Sequence, residues 1–200
     1  GKPIRIFKKT RKDAHKLVEE FMILSNREVA VQLSKASEKR GGAALFRIHD
    51  VPVEEKIADL AIFVRALGHI LPVTKKGVSV KDLKALFSRI EGKAEESLIK
   101  TAAIRSMAKA VYSTQNIGHY GLAFEYYTHF TSPIRRYADL IVHRLLFREL
   151  TNGKISVGEM AKYEKIAREN SEKEIRAAEA ERASIKYKQV EYMQDHIGEV

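Results

Sequence analysis

The chain has no cysteine, only four prolines and no long apolar run. Without thiols there is neither a disulfide nor a thiolate zinc site, and a reducing compartment such as the cytoplasm fits. No stretch approaches the ~18 consecutive apolar residues of a membrane helix, so no membrane partner is expected. The opening residues, GKPIRIFKKTRK, carry neither an initiator Met nor the apolar core of a signal peptide. Internal repeats and low-complexity linkers are also lacking.

What is present is an ordinary apolar fraction, 44%, on 200 residues. That is enough for one domain with a real core, or for a large part of a bigger one. Lys plus Arg is 36 against 26 Asp plus Glu, a net charge of +10. A surplus of this sign favours polyanions, nucleic acid first. Residues 1–12 hold six basic side chains and no acidic one, which serves phosphate contact or a merely solvated basic terminus equally well.

Helical periodicity dominates the pattern. Residues 13–36 read as a helix with Asp13 as N-cap and Leu17, Phe21 and Leu24 on one face. Ala43 to Ile48 reads as a short buried strand after two glycines. A helix is expected from about Pro52, with Ile57, Leu60, Ala61, Val64 and Leu67 in register and Gly68 as its stop. Ser79 and Asp82 form a capping box ahead of Leu83, Leu86 and Ile90, closed by Gly92. Residues 94–112 read as a further helix, His119 to Phe124 as a short strand, and Ser132-Pro133 as the start of a helix reaching about Leu150. After a TNGK turn, residues 157–196 form a long helix with a thin apolar face of Met160, Ile166, Ala177, Ile185 and Met193. The fold class is therefore α+β, predominantly helical, with a few short strands and a long C-terminal helix. The strands have no obvious partners, and strands need pairing. Both ends read as cut, and the open strand edges offer a route to self-association.

The stretch that carries chemistry is HYGLAFEYYTHFTSPIRRYADLIVH, His119 to His143. Ser is a preferred N-cap and Pro a preferred first helical residue. The free N–H groups of a first helical turn, with the positive end of the helix dipole, make an anion site. Arg135 and Arg136 at that end add planar cations suited to phosphate oxygens. Arg135, Asp139 and His143 recur every four residues, which places them on one helix face. On that reading Asp139 holds the Arg135 guanidinium and accepts from His143; a plain salt-bridge stripe fits the same spacing. Tyr120, Phe124, Tyr126, Tyr127, Phe130 and Tyr137 stand beside these cations. Aromatics interleaved with cations hold single-stranded nucleic acid, although such aromatics also build cores. His119, His129, Asp139 and His143 match no zinc spacing.

This stretch resembles the signature of the ribonuclease II/ribonuclease R family: His-aromatic-Gly-Leu, then aromatic-Thr-Ser-Pro-Ile-Arg-Arg-Tyr, an Asp, and a His four residues on. KLVEEFMILSNREVA, RSMAKAVYS and AEAERASIKYKQVEYMQDHIGEV are similar to family segments as well. The resemblance covers nearly the whole chain and is weakest over residues 36–95. It implies that residues 1–200 are the C-terminal portion of one RNB catalytic domain, without the upstream metal-binding portion and the downstream OB-fold domain. It implies a processive 3′→5′ exoribonuclease that takes single-stranded RNA to nucleoside 5′-monophosphates with magnesium ions. Arg135 would contact the scissile phosphate, and Glu19 or Glu20 would face the terminal ribose. Ser132, Arg136 and Tyr137 would bind substrate beside it, Glu181 would influence product exit, and Asp139, His143 and His119 would support the site.

One departure is large. The family's metal ligands are clustered aspartates, whereas the six Asp here (13, 50, 59, 82, 139 and 195) are scattered. Hard divalent cations need several carboxylates together. No metal is therefore expected on these residues, and no nuclease activity from them alone. Two rival readings remain: a non-catalytic nucleic-acid-binding helical module, and a structural domain that docks through the thin face of residues 157–196.

Overall fold

The computed structural model describes residues 1–7, 10–40, 43–74, 77–152 and 157–198. Six helices and one two-stranded sheet are present among them: α1 (Asp13–Arg40), β1 (Phe46–Ile48), α2 (Glu54–Ala66), α3 (Val80–Ile90), α4 (Glu96–Ser106), β2 (Val111–Ser113), α5 (Tyr137–Leu150) and α6 (Val157–Gln194). A single 3₁₀ turn, Tyr120–Leu122, lies between β2 and α5. The α+β, largely helical class with a long final helix is what the pattern predicts. No described helix is long and apolar enough to cross a membrane.

Two apolar cores organise the chain. The first gathers Ala30 and Leu33 of α1, Ala43 to Phe46, Tyr112 of β2, Ile141, Val142 and Leu145 of α5, and Ala167 of α6. The second is local: Ile57, Leu60 and Val64 of α2 pack with Leu83, Leu86 and Ile90 of α3 and Ile99 and Ala103 of α4. The second core follows the sequence pattern closely. Ser79 caps α3 as expected, its Oγ accepting from the Asp82 amide at 3.1 Å. Gly68 and Gly92 end their helices at φ 81° and 76°, the left-handed region open to glycine.

The first core departs from the pattern in several places. The strands do have partners: β1 runs antiparallel to β2, with Arg47 opposite Tyr112. That pair turns its amides outward. Arg47 N–H donates to Tyr127 O at 2.8 Å, and Tyr112 N–H to Ser171 Oγ of α6 at 2.9 Å. At this pair both edges of the two-stranded sheet are occupied. Residues 94–112 are not one helix, because α4 stops at Ser106 and β2 begins at Val111. His119 to Phe124 is a 3₁₀ turn closed by a His119–Phe124 bridge, not a strand.

In α1, Asp13 is the first helical residue and not the cap. Leu17, Phe21 and Leu24 share a face as expected, but they are exposed, and the helix buries Asn26, Ala30, Leu33 and Ala36 instead. In α6, Met160 and Ile166 pack on the core while Ala177, Ile185 and Met193 are exposed. The expected TNGK turn falls partly on residues 153 and 154, outside the described residues.

Candidate phosphate-contacting site

The segment from His119 to Arg136 is mostly irregular, and buried polar contacts fix it. Asn26, 3% exposed on an otherwise apolar stretch of α1, reaches both sides of it. Its Nδ2 donates to the Tyr127 hydroxyl at 3.0 Å, and its Oδ1 accepts from the Phe130 amide at 2.9 Å. Thr128, fully buried, donates to Leu45 O. A buried amide satisfied on both ends specifies one arrangement, since an unpaired one costs about 1–3 kcal/mol.

A ladder of rings runs beneath the segment. His49 and His119 stand 5.0 Å apart, His119 and Tyr127 5.3 Å, Tyr127 and His129 5.9 Å, and His129 and Tyr112 5.6 Å, all edge to face. Arg47 closes one end, its guanidinium 4.7 Å from the Tyr112 ring centre and paired with Glu174 of α6 at 2.5 Å. At the other end the Gly121 amide lies 2.9 Å from His49 Nδ1, and Nε2 lies 2.8 Å from Ala108 O. An N–H can donate only to an unprotonated Nδ1, so the proton sits on Nε2. A methyl group at Gly121 would meet His49 Nδ1 at 2.7 Å, so only glycine admits this contact. Burial pushes His129 down to about 3 and His119 to about 4, with Arg136 and His49 respectively as the next cause. Tyr112 is pushed up to about 12 by burial.

The two arginines of the motif have different surroundings. Pro133 does not begin the helix. Ser132 O accepts from the Arg135 amide at 3.3 Å and from the Arg136 amide at 3.1 Å, closing a tight turn, and α5 starts at Tyr137 with Arg136 as its extended N-cap. Proline's fixed φ suits the second position of such a turn as well as it suits a helix start. Asp139 is completely buried in the first turn of α5. It is held by Arg136, Nε to Oδ1 and Nη2 to Oδ2, both at 2.8 Å, and its Oδ2 also accepts from the Ser132 amide at 2.7 Å. The positive end of the helix dipole adds to this. The expected Asp139–Arg135 pairing is thus corrected to Asp139–Arg136. The expected Asp139–His143 contact is absent too: His143 stacks on Phe130 at 4.0 Å and lies 2.9 Å from Phe130 O.

Arg135 itself is exposed, with Nη2 at 3.4 Å from Ser132 Oγ. Tyr137 beside it is half exposed. Glu19 pairs with Arg11, and Glu20 and Glu181 are exposed. Among the described residues no hydrogen bond joins Glu19, Glu20 or Glu181 to the 119–143 segment. The described residues contain no group of three or more His, Asp or Glu that could hold a metal ion, so the residues present do not fit a divalent-cation site.

Asn26, Arg47, His49, Tyr112 and Glu174 escaped the sequence reading. Only Asn26 left a signal, a polar side chain at the helical repeat of Ala30 and Leu33.

The comparisons with known proteins agree with this architecture. The chain is 41% identical over its whole length to Ribonuclease R 1 of Lactococcus lactis, and 40% identical to Ribonuclease R of Aquifex aeolicus, spanning 24% and 28% of those proteins. It therefore spans about a quarter of the curated relatives it matches. Mycoplasma genitalium RNase R, solved in complex with ribose-methylated single-stranded RNA, superposes on 99% of this chain with a TM-score of 0.88 at 27% identity, using 31% of its own length. The family profile described as "RNB domain" matches residues 1–152, and the chain belongs to that family.

Proposed function

We propose that this chain is the C-terminal portion of the catalytic domain of a processive 3′→5′ exoribonuclease acting on single-stranded RNA and releasing nucleoside 5′-monophosphates. Support comes from family membership and from the RNase R relatives, one of them solved with single-stranded RNA. The observation that carries the reading is the exposed Arg135 guanidinium, set on a turn whose neighbouring charges are already satisfied. A fixed cation aimed at a phosphodiester stabilises the charge that develops on its oxygens. Tyr137 offers a stacking face, and Ser132 a hydroxyl beside the same phosphate. Glu19 and Glu20 stand about 10 Å along α1 from Asn26, which ties that helix to the Phe130 amide. This is a suitable place for a carboxylate that accepts from a ribose hydroxyl. Glu181, exposed on α6, is assigned to the product path.

The family implies magnesium ions. We assign their ligands to chain outside these residues, because the carboxylates here are not gathered. An enzyme of this kind, without cysteine, suits the reducing cytoplasm.

The test is Arg135→Ala in the full-length protein. Mononucleotide release from a homopolymer RNA is expected to slow about 100- to 1000-fold, the cost of removing one donor to the reacting group. A non-catalytic RNA-binding module would release no mononucleotides before or after the change, and an unaffected rate would remove Arg135 from the chemistry.

A further inference from the structure

We infer that Arg136 and Asp139 are positioning residues that set the direction of Arg135, and that Arg136 is not itself a phosphate ligand. This rests on the reading of Arg135 as the phosphate contact. The Arg136 guanidinium spends Nε and Nη2 on one carboxylate, both at 2.8 Å, and that carboxylate is 0% exposed. A cation bound in this two-pronged way has no comparable pair of donors left on that edge for a phosphate.

The same carboxylate ties both ends of the turn. Its Oδ2 accepts from the Ser132 amide at 2.7 Å, where the turn begins, and holds the side chain of Arg136, where it ends. Between them Ser132 O receives two amides, and Pro133 fixes its own φ. Arg135 is the last of the three residues enclosed by these ties. Its backbone is held while its side chain is exposed, so the guanidinium starts from one place. The i to i+4 spacing on a helix face would pair Asp139 with Arg135. The turn moves Arg135 off that face and brings the extended N-cap residue, Arg136, onto the acid instead.

Two variants in the full-length protein test this: Asp139→Asn, and Arg136→Lys, which keeps the charge and folds more safely but cannot reproduce the two-pronged grip. Hydrogen exchange of the peptide spanning residues 130–137 reads the turn without reference to activity. Both variants are expected to speed exchange at the Ser132 amide. Kinetics supply the second arm. Each variant is expected to lower kcat, by up to about 100-fold for a misplaced guanidinium, with KM changed less than about twofold. Neither is expected to slow the enzyme further once Arg135→Ala is present, within about twofold.

Unchanged exchange overturns the inference. So does a full multiplicative loss on top of Arg135→Ala, which would mark a general structural defect. A raised KM with an intact kcat for Arg136→Lys would make Arg136 a phosphate ligand after all. If Arg135→Ala alone is harmless, the phosphate reading falls, while the exchange measurement still decides whether the pair fixes the turn.

Discussion

Burial holds two imidazoles of the ring ladder neutral. His129 falls to about 3, first through desolvation and then through Arg136 and Arg47; His119 falls to about 4, through desolvation and then His49. In the unfolded chain each takes up its proton near 6.5. Below that value the unfolded state binds more protons, so the stability due to neutral burial is complete above pH 6.5. It is lost as the pH falls from there through the folded values. The melting temperature is therefore expected to drop steadily between pH 7 and pH 4. His129→Gln, which keeps a polar group beside the Tyr112 hydroxyl, 2.8 Å from His129 Nδ1, but cannot titrate, should flatten that drop. Parallel curves for the two proteins would show that His129 does not contribute. Arg135 and Arg136 make a related point at the same scale. They are chemically identical neighbours, yet one is exposed and the other is locked to a buried acid, which no property of the residue type distinguishes.

Among the elements, α3 is the one whose boundaries follow directly from its residues. Ser79 accepts from the Asp82 amide, its hydroxyl donates back to the Asp82 carboxylate at 2.6 Å, and Leu83, Leu86 and Ile90 form the buried face. Ser79→Ala is expected to cost about 1 kcal/mol of stability, measurable by denaturant titration. A change within error would mean that packing on α2 and α4 holds the helix without its cap. By contrast, the N-terminal half of α1 and the C-terminal half of α6 bury little: Phe21 is 61% exposed and Met193 53%. Their helicity owes more to local propensity and charge pairing than to a packed face. The junction between β2 and α5 is the opposite case. It has almost no regular structure, and its shape comes from Asn26, Thr128, His49 and Asp139, each contacting residues that are distant in sequence or across a turn.

At the scale of the molecule, the local α2–α4 core and the long-range core of α1, β1, β2, α5 and α6 meet at the ring ladder. The Tyr120 hydroxyl donates to Val78 O, and its neighbour His49 bonds Ala108 O. The seam between the two cores thus runs past the His49 end of the ring ladder. The proposed RNA binding, which rests on the charge surplus and the exposed Arg135, is expected to weaken with salt, while the scattered carboxylates leave the described residues without a metal-binding group. The 200-residue chain alone is accordingly expected to release no mononucleotides from homopolymer RNA in magnesium. Measurable release would show that a metal site assembles here after all.

Residue order alone determined the helical class, the capping box of α3, the glycine stops after α2 and α3, and the Thr-Ser-Pro-Ile-Arg-Arg motif, because each depends on groups within a few positions of one another. Only the tertiary structure decided that Phe46–Ile48 pairs with Val111–Ser113, that Asn26 locks Phe130, that Arg47 lies on Tyr112, and that Asp139 takes Arg136 in place of Arg135. Those choices turn on which buried polar groups find partners across the fold. For the first three that is a competition among distant residues; for Asp139 it is a choice between two neighbouring arginines, decided by where the turn ends and α5 begins, and periodicity and spacing record neither.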